Sequence, residues 1–267
     1  MVKISIGTAG WDYKDWIGTF YPKKLEKSQH LEYFSKYFNV VEINSTFYNL
    51  PSSSMVENWY NRVPQNFRFI VKVWQKISHN LNDLNLNSFI LDFFSRIKPL
   101  ANKIFGFLIQ FPPWFKYSEK HLSQLIILLK EIPEDYRYFI ELRDNSWFNP
   151  EILKSFIDGE RIVLGTTYKP NLKPFYWQNQ NFYYIRLIGD RELTVFNRIQ
   201  RDQKDAVKDL NKNVQSLMNK PNIYEIFIIV NNHFQGAAPE SVVNLKQKFG
   251  LKFHNFRTQK SLIEYLK

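Results

Sequence analysis

Phe105-Gly106-Phe107-Leu108-Ile109-Gln110 is an almost wholly apolar run, too short for a typical helix, that closes on a polar residue. A strand buried on both faces has this look, because a parallel sheet covered by helices leaves no face for water. Seven similar runs occur, at residues 4–7, 40–44, 67–73, 138–142, 162–166, 183–188 and 225–231. Between them lie stretches with the apolar spacing of amphipathic helices. Leu31, Phe34, Tyr37 and Phe38 make one such face, and Leu122, Leu125, Ile126 and Leu129 another. Further helices are expected at 52–62, 87–98, 150–158, 203–219 and 238–249, whereas 168–180 is polar and aromatic without period and reads as a surface loop.

Eight strands alternating with helices over 267 residues predict an α/β fold, a parallel eight-stranded (β/α)8 TIM barrel, read as one domain over residues 1–267. An open doubly wound sheet is the competitor. It usually carries a G-x-G-x-x-G phosphate loop after its first strand, and Gly7-Thr8-Ala9-Gly10 lacks that spacing.

Hydrophobic residues make up 44% of the chain and aromatics 17%, enough for a large core, so global disorder is excluded. There is no cysteine, which removes disulfides, thiolate zinc sites, iron–sulfur clusters and cysteine nucleophiles. No apolar stretch is long enough to span a bilayer, and residues 1–10 read as a strand and turn rather than a signal peptide. A cytoplasmic protein with no membrane association is expected. With 36 Lys+Arg against 25 Asp+Glu the formal charge is +11, which favours anionic partners.

Side chains alternate along a barrel strand between the interior and the helix layer, and barrel chemistry collects where the strands end. In Val40-Val41-Glu42-Ile43-Asn44, Glu42 and Asn44 share a face; so do Glu141 and Arg143 on the fifth strand. Lys72 closes the third strand, Gln110 the fourth, Arg186 the seventh and Asn232 the eighth. An unpaired charge there is costly, so the set is either a self-satisfied polar layer or a ligand site. In the second case Glu42, Lys72 and Glu141 are the candidate catalytic groups for proton transfer. Arg143 and Arg186 would hold an anion, and Asn44, Gln110 and Asn232 would orient the substrate.

Gly7-Thr8-Ala9-Gly10-Trp11 stands with Tyr13, Trp16 and Phe20-Tyr21-Pro22, and Glu42-Ile43-Asn44 with Thr46-Phe47-Tyr48. Gln110-Phe111-Pro112-Pro113, Glu141-Leu142-Arg143 with Ser146-Trp147, and Asn231-Asn232 with Gly236 continue the pattern almost to the end. Jointly it closely resembles the YecE-like family, a domain of unknown function numbered seventy-two. The resemblance implies a TIM barrel, in agreement with the strand count, and implies no particular activity. Asp144 and Ile188 stand where the family commonly has histidine, and Thr166-Thr167 where it often has aspartate.

Gly189 and Gly236 follow the seventh and eighth strands, where barrels often bind phosphate through backbone N–H groups. His79 and His233 show no metal-ligand spacing, and neither a metal nor another cofactor is expected. Trp11, Tyr13, Trp16, Phe47, Tyr48, Trp74, Trp114 and Trp147 all fall after strands, as an aromatic rim or as packing for long loops. Lys23, Lys24, Lys204, Lys208, Lys212, Lys246 and Lys248 are expected on solvated outer faces. The first expectation is cofactor-free acid–base catalysis on a small phosphorylated or sugar-like compound at the C-terminal mouth. The alternative is a nucleic-acid-binding or metal-dependent nuclease-like barrel using a basic, aromatic-rimmed mouth.

Overall fold

The computed structural model describes residues 2–256. Its eight strands are β1 (Lys3–Ala9), β2 (Val40–Ile43), β3 (Arg68–Lys72), β4 (Ile104–Gln110), β5 (Tyr138–Glu141), β6 (Ile162–Tyr168), β7 (Phe182–Leu187) and β8 (Glu225–Val230). All neighbouring pairs are parallel and β8 returns to β1, so the sheet closes into a barrel in chain order. The helices are α1 (His30–Ser35), α2 (Ser45–Tyr48), α3 (Ser53–Asn61), α4 (Gln75–Ser78), α5 (Leu86–Ile97), α6 (Glu119–Glu131), α7 (Pro150–Lys154), α8 (Lys204–Met218), α9 (Asn232–Gln235) and α10 (Ala238–Lys248).

Local chemistry sets the helix starts. Ser52 Oγ accepts the Met55 N–H at 3.2 Å, Ser118 Oγ accepts the His121 N–H at 3.1 Å, and Asn149 Oδ1 accepts the Glu151 N–H at 2.9 Å. Each satisfies a donor that the first turn of a helix leaves free. The helix expected at 150–158 stops at Lys154. Beyond it, Asp158 Oδ1 gathers the N–H groups of Glu160, Arg161 and Ile162, each at 2.8 Å, which fixes a turn in place of further helix.

Strand alternation divides the core in two. Val40, Ile70, Leu108, Phe139, Val163, Tyr184 and Phe227 fill the barrel's middle, while Val41, Ile43, Phe69, Val71, Phe107 and Ile109 pack outward on the helices. At the N-terminal end Phe105 packs on Phe227 with ring centroids 4.1 Å apart, and the Arg137 guanidinium lies 3.5 Å from the Phe182 ring centre. The bottom is therefore plugged by aromatic rings and a cation, and the polar strand ends face the other way.

No helix joins β6 to β7 among the described residues. The 168–180 segment, expected as a surface loop, begins inside β6 and then serves as barrel wall. Leu172, Trp177 and Gln180 are buried, and the Gln180 amide bonds both the N–H (3.0 Å) and the carbonyl (3.2 Å) of Leu164, as a neighbouring strand would.

Candidate functional site

Registers Ala9↔Glu42, Gln110↔Glu141 and Thr167↔Arg186 bring the strand ends level at the C-terminal mouth. Glu42, Lys72, Gln110, Glu141 and Arg186 are all buried there. Arg186 bridges the two carboxylates: Nε donates to Glu42 Oε2 at 2.8 Å, Nη2 to Glu42 Oε1 at 2.7 Å, and Nη1 to Glu141 Oε2 at 2.5 Å. Arg143 Nε donates to the other oxygen of Glu141 at 2.6 Å, and the Tyr184 hydroxyl donates to Glu42. Burial alone would raise the Glu141 pKa, but the guanidinium groups of Arg186 and Arg143 hold it down at about 2, so Glu141 is an ionised fixture at neutral pH. Its carboxylate and that of Glu42 in turn hold Arg186 well above the ordinary arginine range, against its burial.

Lys72 is the exception to this pairing. Its Nζ donates to the neutral Gln110 Oε1 at 3.0 Å and lies 3.8 Å from the centre of the Phe47 ring, and no carboxylate oxygen comes within 4.0 Å among the described residues. Burial lowers its pKa to about 7; Arg186 and Arg143 push the same way, and Glu141 and Glu42 resist. His79, at the end of α4, is lowered to about 4 by burial and by the charges of Lys72 and Arg143, so it meets the site as neutral imidazole. Burial and the Glu42 charge push the Tyr13 hydroxyl up to about 12. Arg143 spends only Nε on Glu141, leaving its terminal nitrogens without a partner among the described residues.

The remaining expected site residues divide. Asn44, two residues beyond Glu42, lies half-buried in a cleft of about 720 Å³ also lined by Gly10, Tyr13 and Arg62. Asn232 Oδ1 acts as a brace, accepting Trp16 Nε1 and the Ala238 N–H, both at 3.1 Å, and so ties the β1 and β8 loops together, while its buried Nδ2 has no partner among the described residues. Gly236 has φ of 105°, and its N–H already donates to the Asn232 carbonyl at 2.7 Å, so it is spent on a turn.

Gly189 adopts φ of 77°, and a Cβ there would stand 2.2 Å from the His233 carbonyl oxygen. Gly189→Ala is therefore expected to lower stability by about 2–4 kcal/mol through left-handed strain and a backbone clash, read by denaturant unfolding.

Residues 5–264 match the family described as Protein of unknown function DUF72. The chain belongs to that family. It is 25% identical over 265 residues to the UPF0759 protein YunF of Bacillus subtilis (strain 168), spanning 89% of this chain and 92% of YunF. With the UPF0759 protein YecE of Escherichia coli (strain K12) it shares 30% identity over 145 residues, 54% of this chain and 50% of YecE. A solved DUF72 family protein from Thermotoga maritima MSB8 superposes with TM-score 0.76 at 25% identity, covering 93% of this chain and 99% of that one. One from Enterococcus faecalis V583 gives TM-score 0.76 at 24% identity, covering 94% and 99%, a likeness of fold.

Three residues of this DUF72 mouth escaped the strand-end reading. Tyr184 is two positions before Arg186 and so points the same way; alternation alone finds it. Thr167 lies beside Arg186 with a buried hydroxyl that has no partner among the described residues; in the sequence it shows only as a departure from the family pattern, because β6 runs two residues further than its apolar run. Phe47, counted on the rim, instead covers the Lys72 ammonium.

Among the described residues of this DUF72 chain no group of three or more His, Asp or Glu side chains is placed to hold a metal ion. Between the Glu42 and Glu141 carboxylates stands a guanidinium. No described helix is long and apolar enough to cross a membrane. Of the seven lysines expected outside, Lys246 is buried on α10, its Nζ 3.4 Å from the Tyr37 carbonyl and 5.2 Å from the Phe38 ring centre, because that side of α10 packs on the barrel. Lys23 and Lys24 lie exposed in a turn before α1 rather than on a helix.

Proposed function

We propose that this protein is an enzyme performing acid–base chemistry on a small anionic or polyhydroxylated compound at the C-terminal mouth of the barrel. Lys72 transfers the proton, and Arg143 anchors the anion through its free guanidinium edge. The observation that carries this reading is the unequal sharing of charge in the cup. Arg186 binds both carboxylates with all three nitrogens, whereas Lys72 has only a neutral amide oxygen for a partner. A layer built for stability alone would have little use for a buried, unpaired amine. A lysine near pKa 7 holds both protonation states at neutral pH, the condition general acid–base catalysis needs. In this reading Arg186 is a strut that fixes Glu42 and Glu141, and the carboxylates supply the negative field. Thr167, Asn44 and the Asn232 Nδ2 are the neutral groups available to substrate hydroxyls, while Gln110 is held between Lys72 and the Phe111 carbonyl.

Glycerol 3-phosphate and glycerate serve as phosphorylated and hydroxylated probes. At a hundredfold over Kd, a bound probe is expected to stabilise the fold by about 2.7 kcal/mol in thermal unfolding. That gain should shrink at least about tenfold in affinity with Arg143→Gln. Equal stabilisation of wild type and variant would sink the assignment of Arg143.

Nucleic-acid binding has less support. Of the eight expected rim aromatics only Tyr48 and Trp114 are exposed, while Trp16, Phe47 and Trp147 are buried as packing. Affinity for single-stranded DNA that falls steeply with salt would favour it over a small-molecule site.

A further inference from the structure

Lys72 has a chemical capacity beyond moving a proton. Its amine is nine-tenths buried, makes a single hydrogen bond to a neutral oxygen, and is covered by an aromatic ring. Among the described residues the charged groups that act on it are otherwise engaged. Glu42 and Glu141 are engaged by Arg186, Arg143 and Tyr184, and His79 is neutral beside it. A neutral lysine amine shielded from water by burial is a nucleophile toward carbonyl carbon. The surrounding cations also favour a substrate whose carbonyl stands close to an anion.

We propose that Lys72 forms a protonated imine with a small carbonyl compound bearing an anionic group, a keto acid or a phosphorylated ketose held by Arg143. This rests on the placement of substrate at the mouth argued above. The Nζ lone pair attacks the carbonyl carbon as the C–O π bond breaks, and a proton passes from nitrogen to that oxygen to give a carbinolamine. The oxygen then takes up a second proton, supplied by solvent at the mouth, and leaves as water while the nitrogen lone pair forms the C=N bond. The product keeps one proton and a positive charge on nitrogen, in place of the charge an ammonium would carry. That charge acidifies the neighbouring carbon, which opens retro-aldol, dehydration or decarboxylation chemistry without a cofactor.

The test is borohydride reduction of the intact protein at pH 7 in the presence of pyruvate or of dihydroxyacetone phosphate, followed by peptide mass mapping. Hydride delivery to the imine carbon leaves a stable secondary amine on the modified lysine. About half of Lys72 is neutral at that pH, against roughly one in 2,500 of an ordinary lysine, so its labelling is expected to exceed that of exposed lysines by on the order of a hundredfold or more. The pyruvate and phosphate arms distinguish a carboxylate from a phosphate as the anion. Lys72→Arg keeps a cation and is expected to lose the adduct, and the mapping of wild type needs no variant to fold.

Labelling of Lys72 no faster than surface lysines with both probes overturns the imine. If glycerate or glycerol 3-phosphate still binds through Arg143 in that case, the acid–base reading survives alone. If none of the four compounds binds, both fail.

Discussion

Arg186→Met is expected to destabilise the fold by about 3–5 kcal/mol, a drop in Tm of roughly 10 °C, because it strands two buried carboxylates. Glu42 and Glu141 both have fully buried side chains, and Arg186 supplies three of the hydrogen bonds their oxygens accept. The pH response should change sign with the substitution. In the native protein the depressed pKa of Glu141, about 2, contributes stability that is fully present above the ordinary carboxylate range and is lost as pH falls toward 2. Without the guanidinium, burial raises the carboxylate pKa instead, so the variant should regain stability as pH falls from 7 to 5. Denaturant unfolding at several pH values reads both effects. A loss under about 1 kcal/mol would mean that water, rather than Arg186, satisfies these carboxylate oxygens.

Lys72→Met is expected to do the opposite, removing function while stabilising the protein at neutral pH. The amine has a pKa of about 7 in the fold and an ordinary value near 10.5 when unfolded. Between those values the unfolded chain binds more protons, so stability should rise with pH, by about 3 kcal/mol from pH 7 to 9.5 for this one group. Lys246, lowered to about 8 by burial, adds a contribution of the same sign. Above pH 10 the slope should reverse. Tyr13 and Tyr183 have raised values in the fold, so their stability is lost once the unfolded tyrosines ionise.

Replacing the ammonium with methionine removes the Lys72 contribution but leaves the Gln110 carbonyl short of a donor, at a cost of about 1–3 kcal/mol. The net gain at pH 7 should be about 2 kcal/mol, with a flatter profile up to pH 9.5. A variant that is less stable at pH 7 than the native protein would make Lys72 a structural residue and remove the main support for its catalytic role.

The barrel was legible because its strands are buried on both sides, so that apolar runs mark them directly in the chain. The polar closers Glu42, Lys72, Gln110, Glu141 and Arg186 were legible for the complementary reason: each interrupts such a run at its end. What the linear pattern does not carry is partnership. Arg186 and Arg143 look alike as strand-end cations, yet one has three acceptors and the other one. That difference comes from the closed sheet, which sets β7 across from both β2 and β5. The same limit applies to Lys246, which looks like any helix-surface lysine until α10 is laid against β1. Asn232 reads as a mouth residue with both ends of its amide free, and the chain alone does not show that the β1 loop folds over and takes its oxygen with the Trp16 indole.

Among the described residues six of the seven strand-to-strand connections armour the barrel with a helix, and the one from β6 to β7 does not. There Gln180 holds Leu164 by its side chain alone, and Phe175 stacks on Phe148 with centroids 4.9 Å apart. A wall made of loop rather than helix can be lengthened or replaced without repacking neighbours on either side. This flank is the molecule's adjustable panel, the stretch through which descendants of the fold can reshape the approach to a fixed charge cluster while leaving the cluster untouched.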